Sequence, residues 1–219
     1  MPVELVGSTV VIVAKQFNPS IVNQLWLVQN AVLLEDEFRP GCVFTDMAVQ
    51  VHASEFDLTV VPQQFQFTPK VALDRQQELV NEKVGRITQT LPHTPFRALG
   101  LNFIWQYTPD NESVADACRR LFFKEGCRLH ESFNQADARF GGYMSKDFMS
   151  LRMKMDVKPA TVTCDGQSVE RIQFMFNFHK DLVSDENVVR RIQETLCIWN
   201  DARDAASQLV QSAARGGGQ

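Results

Sequence analysis

Two hydrophobic rhythms alternate along this chain, and the switch between them comes twice. Ser8-Thr9-Val10-Val11-Ile12-Val13-Ala14 is an unbroken β-branched, apolar run, which predicts a strand over 5–16 covered on both faces. It ends at Gln16-Phe17-Asn18-Pro19, where Asn18 suits a helix N-cap and Pro19 the first helical position. The following spacing predicts a helix over 19–29 with Ile21, Leu25 and Val28 on one face. Strands are predicted over 42–52, with Val43, Met47, Val49 and Val51 inward, and over 55–67, with Phe56, Leu58 and Val60 inward. The inward parity then passes to Phe65 and Phe67, and Pro62 at the switch predicts a bulge. A helix over 71–91 with the stripe Val80, Val84, Ile87 and Leu91 ends at Pro92.

The same sequence of signals then starts again. Leu99, Leu101, Phe103 and Trp105 alternate, which predicts a strand over 96–107. Gln106-Tyr107-Thr108-Pro109 repeats the cap chemistry ahead of a helix over 110–124, and Gly126 suits its C-terminal stop. Residues 127–146 are polar and aperiodic and predict a long loop. Beyond it, 147–164 predicts a strand with Met149, Leu151, Met153, Met155 and Val157 inward. Asp165-Gly166 predicts a hairpin turn, and 168–179 predicts the return strand with Ile172, Phe174, Phe176 and Phe178 inward. Ser184 suits the cap of a final helix with the stripe Val189, Ile192, Leu196 and Trp199. That helix extends through Ala202, Ala205, Ala206 and Leu209 for about 28 residues, or about 42 Å.

A second pair of landmarks supports a repeat: Phe65-Gln66-Phe67 returns as Phe176-Asn177-Phe178. Gln16 to Phe65 is 49 positions and Gln106 to Phe176 is 70, so the second copy carries 21 more residues. The expected architecture is α+β: a tandem duplication of a strand-helix-hairpin-helix unit, with a mostly antiparallel sheet, helices on one face and a long C-terminal helix. The expected domains are a first βαββα unit over 1–93 and a second over 94–219. The second carries the inserted loop near 127–146 and a flexible Gly tail over 216–219. In layout this resembles tandem strand-helix-hairpin modules such as the TATA-binding or GyrI-like folds. The likeness is one of element order, and such folds host unrelated functions.

Composition narrows the function classes. A net charge of −4 with pI near 5.6 argues against a basic footprint for nucleic acid. The 16 Phe against 2 Tyr mostly fill core, since Phe has no polar handle. No apolar run reaches the length of a membrane span, and Met1-Pro2-Val3-Glu4 lacks a basic signal-peptide start. Five scattered cysteines, Cys42, Cys118, Cys127, Cys164 and Cys197, are expected to be free thiols in a reducing cytoplasm.

Candidate chemistry is sparse. Cys127 and His130 have the spacing of half a metal site, with Glu131 following, but no second ligand pair stands elsewhere, so neither metal nor cofactor is expected. Gly141-Gly142 lacks the Lys and Ser/Thr of a phosphate loop and reads as a turn or hinge, and His93 reads as linker. What remains is the outward face of the strands. Its ligand- or partner-face candidates are His52, Asn102, Gln106, Arg152, Lys154, Arg171, Gln173, Asn177 and His179. The extra turns of the last helix, with Arg203, Ala206, Leu209 and Val210, are expected to meet a second copy. The resulting expectation is a non-catalytic interaction or assembly subunit of a cytoplasmic complex, a homo-oligomer. The alternative is a small-molecule binder or enzyme using the polar face and the 127–146 loop.

Overall fold

The computed structural model describes residues 3–164, 166–182 and 187–215. Asp165 of the predicted turn, the Ser184 cap and the Gly216-Gly217-Gly218 tail lie outside the described residues.

Strand β1 (Val3–Ala14) buries Val10, Ile12 and Ala14 but leaves Val13 38% exposed. It is therefore one-sided, and the predicted cover on both faces is corrected: its outward valines keep the strand extended without being core. Pro19–Ile21 forms a single 3-10 turn, to which Asn18 gives no side-chain cap. The helix starts later, as α1 (Gln24–Gln29), where Asn23 Oδ1 accepts a hydrogen bond from Trp26 N at 2.9 Å. The late start changes which face is buried. Val22 and Leu27 are core, whereas Ile21 and Leu25 are 44% and 64% exposed, so the predicted Ile21-Leu25-Val28 stripe is corrected.

The predicted two-strand hairpin of the first half is four strands: β2 (Val43–Phe44), β3 (Val49–His52), β4 (Phe56–Val61) and β5 (Gln64–Pro69). Thr45–Ala48 folds the expected 42–52 strand back on itself. Thr45 N donates to Ala48 O at 2.9 Å, and Met47 is left 69% exposed instead of inward. The bulge predicted at Pro62 is a two-residue turn. Val61 opposes Gln64, Val60 opposes Phe65 and Leu58 opposes Phe67, so even positions face odd ones and the inward parity reverses across the hairpin. Helix α2 (Gln76–Thr90) follows with Val80, Val84 and Ile87 of the predicted stripe buried, while its fourth member, Leu91, is the C-cap and half-buried.

In the second half β6 (Phe96–Tyr107) has its predicted bounds and buries Leu99, Leu101 and Phe103 fully. Helix α3 (Val114–Phe122) is capped by Ser113, whose Oγ accepts from Asp116 N at 3.1 Å; Thr108 is not the cap. Asn23 and Ser113 each stand four positions past their prolines and are 90 positions apart, as are Gln16 and Gln106. The strand ends do not share that offset: Gln16 lies beyond β1, while Gln106 lies inside β6.

The predicted loop over 127–146 contains α4 (Arg128–Glu131) and gives way to a strand, β7 (Gly142–Phe148), which pairs with β8 (Leu151–Cys164). Met149 sits in their turn at φ 51°, 65% exposed, and not inward. Leu151, Met153, Met155 and Val157 of β8 are buried as predicted, as are Ile172, Phe174, Phe176 and Phe178 of β9 (Gln167–Asp181). The expected single C-terminal helix is two, α5 (Val188–Leu196) and α6 (Trp199–Arg215), separated at Cys197-Ile198, where neither Gly nor Pro marks a break.

The nine strands form one antiparallel sheet in the order β2-β3-β4-β5-β1-β6-β9-β8-β7, which with the helices makes the fold α+β. By contact density the chain forms two compact units. One comprises Ser8–Asn102 and Phe178–Ala202. There α2 packs on β5 and α5, Phe56 stacks on Phe67 at 4.7 Å, and Asn200 N donates to Gln77 Oε1 at 3.0 Å. The other comprises Met1–Gly7, Phe103–Asn177 and Arg203–Gln219, and its helix α3 packs on β8. These units divide the chain differently from the sequence repeat.

The caps give a direct test. Asn23→Ala and Ser113→Ala should each cost about 0.5–2 kcal/mol in denaturant unfolding, whereas Asn18→Ala and Thr108→Ala, which remove no cap bond, should cost less than either.

Candidate functional site

In the Ser8–Asn102 unit, β3 and β4 place His52 opposite Asp57. His52 Nδ1 lies 3.0 Å from Asp57 Oδ1, which also accepts from Lys70 Nζ at 2.8 Å. Burial pushes the Asp57 carboxyl up, but the hydrogen bonds and charges of Lys70 and His52 together outweigh it and leave the pKa below its usual value. Asn102 Nδ2 donates to Thr9 Oγ1 at 3.4 Å, and His179 is half-buried on β9. These side chains of the face are thus bonded to one another: His52 and Lys70 to Asp57, and Asn102 to Thr9.

In the other unit Gln106 is buried and donates from Nε2 to Gln173 Oε1 at 3.4 Å. Arg171 pairs with Glu4 at 2.9 Å and reaches Cys164 Sγ at 3.7 Å, while Arg152 pairs with Asp147 at 2.9 Å. Lys154 stands opposite Ser145 in register, and Asn177 is half-buried. Of the three Lys and Arg side chains predicted for this face, Arg171 and Arg152 are thus paired with carboxylates on other strands, and Lys154 faces Ser145 across the β7–β8 pair.

The predicted oligomer contact is changed most. Ala206 and Val210 are fully buried within the chain, as are Ala202 and, at 3% exposure, Ala214. The apolar stripe of α6 already has its cover, so the reason for a partner there is gone. Arg203 and Leu209 are only half-buried.

The insertion is a folded device and not a free loop. Lys124 N donates to His130 Nδ1 at 2.8 Å, which puts the proton of the neutral ring on Nε2. Gly126 N donates to Glu131 Oε1 at 3.1 Å. Phe140, 9% exposed, packs edge-on against Phe123 at 5.4 Å, and the Arg119 guanidinium lies 4.3 Å from the Phe123 centroid while bonding Asn134. His130 Nδ1 is thus taken by the Lys124 backbone, and its ring lies against Phe123 and Phe140. Among the described residues no group of three or more His, Cys, Asp or Glu could hold a metal ion. No helix of the described chain is long and apolar enough to cross a membrane.

Sequence reasoning missed strand β7. It ends the sheet, and its side chains include Tyr143 at 65% and Met144 at 45% exposure. The two glycines that read as a turn or hinge have another role. A Cβ at Gly141 would stand 2.5 Å from Val157 O, and one at Gly142 2.6 Å from the Phe122 ring, so glycine is what lets the strand enter this close to β8 and α3. The opposite edge, β2, is only two residues long.

No protein-family model, curated protein or solved structure matches this chain.

Two measurements test the chemistry described. Because the Asp57 pKa is lowered in the folded state, its ionised form contributes stability above its usual value of 3.8 that is lost as the pH falls through the folded value. Asp57→Asn should therefore lower the melting temperature modestly at pH 7, and the gap from wild type should close as the pH drops below 3.8. Burial, helped by Glu112 and Glu170, pushes the Cys118 thiol up to about 11. At pH 8 iodoacetamide should label exposed Cys197 in the native protein and reach Cys118 only on unfolding.

Proposed function

We propose that this protein is a non-catalytic assembly subunit that joins other chains by strand addition at β7. The observation that carries this is the asymmetry of the sheet's two edges. An edge strand offers a row of backbone donors and acceptors, and proteins that stay apart shorten, kink or charge such edges. Here one edge is cut to two residues and the other runs for seven, with Tyr143 and Met144 exposed beside the exposed Met149. A two-fold axis normal to the sheet at Ser145 would pair β7 with its own copy antiparallel. Tyr143 would then oppose Asp147 and Met144 would oppose Lys146, a hydroxyl meeting a carboxylate and a thioether meeting a lysine stem. The setting consistent with five free thiols is a reducing, cytoplasmic one.

The small-molecule or enzyme reading of the 127–146 segment has less support. The depression of about 300 Å³ beside α3 is lined by Asp116, Arg119, Asn134 and Gln135, and Arg119 is already committed to Asn134 and Phe123. The polar face likewise spends its side chains on its own neighbours.

We read the chain further as a duplicated βαβββα unit over 1–93 and 94–219. The unequal strand ends at Gln16 and Gln106 count against it, and two facts support it. The sheet order is symmetric about β1-β6, with β5-β4-β3 on one side and β9-β8-β7 on the other, and the helix caps Asn23 and Ser113 share the 90-residue offset of the landmark tetrapeptides. β2, α4 and α6 fall outside the repeat.

Light scattering on the purified full chain tests the assembly. Wild type is expected to be a dimer at micromolar concentration. Met144→Asp and Tyr143→Lys, both at exposed positions, are expected to be folded monomers. A wild type that stays monomeric at the highest soluble concentration, or a Met144→Asp protein that remains dimeric, would falsify edge assembly.

A further inference from the structure

Within the Ser8–Asn102 unit the chain leaves β1 through Gln16–Val22 and faces the connection from α2 to β6, residues 90–95. Between these two segments lies an open groove of about 610 Å³, within the size range of small-ligand sites. Its walls are set by packing and not by loop flexibility alone. Phe17 and Val22 line it while being 3% and 1% exposed, and the Phe17 ring is fixed against Phe96 at 5.9 Å and Phe65 at 6.4 Å. Pro92 and Pro95 stiffen the facing segment, and Ile21 lines the groove while 44% exposed.

The polar groups here differ from those elsewhere. On the sheet face, Gln106 bonds Gln173, Asn102 bonds Thr9, and Arg152, Arg171 and Lys70 bond carboxylates. In the groove, Gln16, Asn18, His93 and Thr94 have no side-chain hydrogen bond to any described residue. They are distributed along both segments around an apolar floor. No Asp, Glu, Lys or Arg lines the groove, in a chain that is 22% charged. An ionic ligand would find no counter-charge to offset its desolvation, whereas a neutral one loses little on entering. Amides offer both a donor and an acceptor, so carbonyl, hydroxyl or amide groups on the ligand would be matched.

We propose that this groove is a binding site for an uncharged small molecule with an apolar body and one or a few hydrogen-bonding groups at its edge. It shares no residue with β7, so it stands or falls separately from edge assembly.

The test uses N-phenyl-1-naphthylamine, a neutral, apolar probe with a single N–H, titrated by fluorescence into the full chain. Saturable one-site binding is expected. Ile21→Arg, which puts a cation into the groove from an exposed position, should weaken it at least tenfold. Leu34→Arg, 62% exposed and outside the groove, should leave it unchanged. The anionic relative 1-anilinonaphthalene-8-sulfonate should bind at least tenfold more weakly than the neutral probe. Should Ile21→Arg fail to fold, His93→Arg at another exposed lining position carries the same expectation. Absence of saturable binding, equal loss in the groove and control variants, or sulfonate binding as tight as the neutral probe would each overturn the proposal.

Discussion

One-sided burial of strands governs this molecule. In β4, and over 151–157 of β8 and 172–178 of β9, every second residue is core and its neighbours are not. Side chains alternate with a period of two, so a slip of one residue would move a whole strand's apolar set to the wrong side. Register is therefore fixed by burial, and turns must deliver the next strand with the matching parity. The hairpin at Pro62-Gln63 does this: Leu58 and Val60 of β4 sit opposite Phe67 and Phe65 of β5, and all four are buried. In the β7–β8 hairpin Phe148 stands opposite Leu151 and Met144 opposite Met155, but only the β8 members of these pairs are buried.

That rule also explains which parts of the fold were legible. Long strands with strict alternation, β6, β8 and β9, announce their core residues, because period two has few competitors over so many positions. Parity changes are legible as events but not as geometries. A bulge and a two-residue reversal both move the inward set from even to odd, and neither Pro62-Gln63 nor Met149-Ser150 carries the Asn-Gly or Asp-Gly signature of a tight hairpin. Met149 at φ 51° occupies a position where Gly or Asn would have flagged the turn. Short helices were misphased for a related reason. Pro19 and Pro109 mark where strand geometry ends, but the caps that set the helical phase are Asn23 and Ser113, four residues later.

The candidate site was less legible than the fold, and the reason is physical. A polar side chain on a strand reads the same in sequence whether it faces water, a partner or a neighbouring side chain. Gln106 and Gln173, picked as recognition residues, bond each other, as Arg171 bonds Glu4 from far along the chain. Such pairings depend on strand order, which periodicity does not encode. The groove was missed for the opposite reason. Gln16-Phe17-Asn18-Pro19 stood out as the hinge of a repeat and Pro92-His93-Thr94-Pro95 as a linker, and only the fold sets them face to face.

The fate of the C-terminal helix decides between two routes to assembly. A long apolar stripe left in water favours association, and such a stripe was the basis for expecting a partner at Arg203–Ala214. The break at Cys197-Ile198 separates α5 from α6, and Ala202, Ala206, Val210 and Ala214 are buried without any second chain. Small residues let a helix approach its support closely, so this surface gains its contacts within the monomer. Once that stripe is covered, the chief unsatisfied feature left by the sheet is the outer side of β7. Its backbone groups repeat along seven residues and can be completed only by another strand or by water. Burying a helix stripe removes one interaction surface, and pairing β7 with its own copy would likewise use up that edge and leave the two-residue β2 at both ends. Assembly through the sheet therefore needs no special patch, only the absence of the devices that would block it. The two-residue β2 shows such a device at one end of this sheet; at the other, β7 runs for seven residues and carries the exposed charges Lys146 and Asp147.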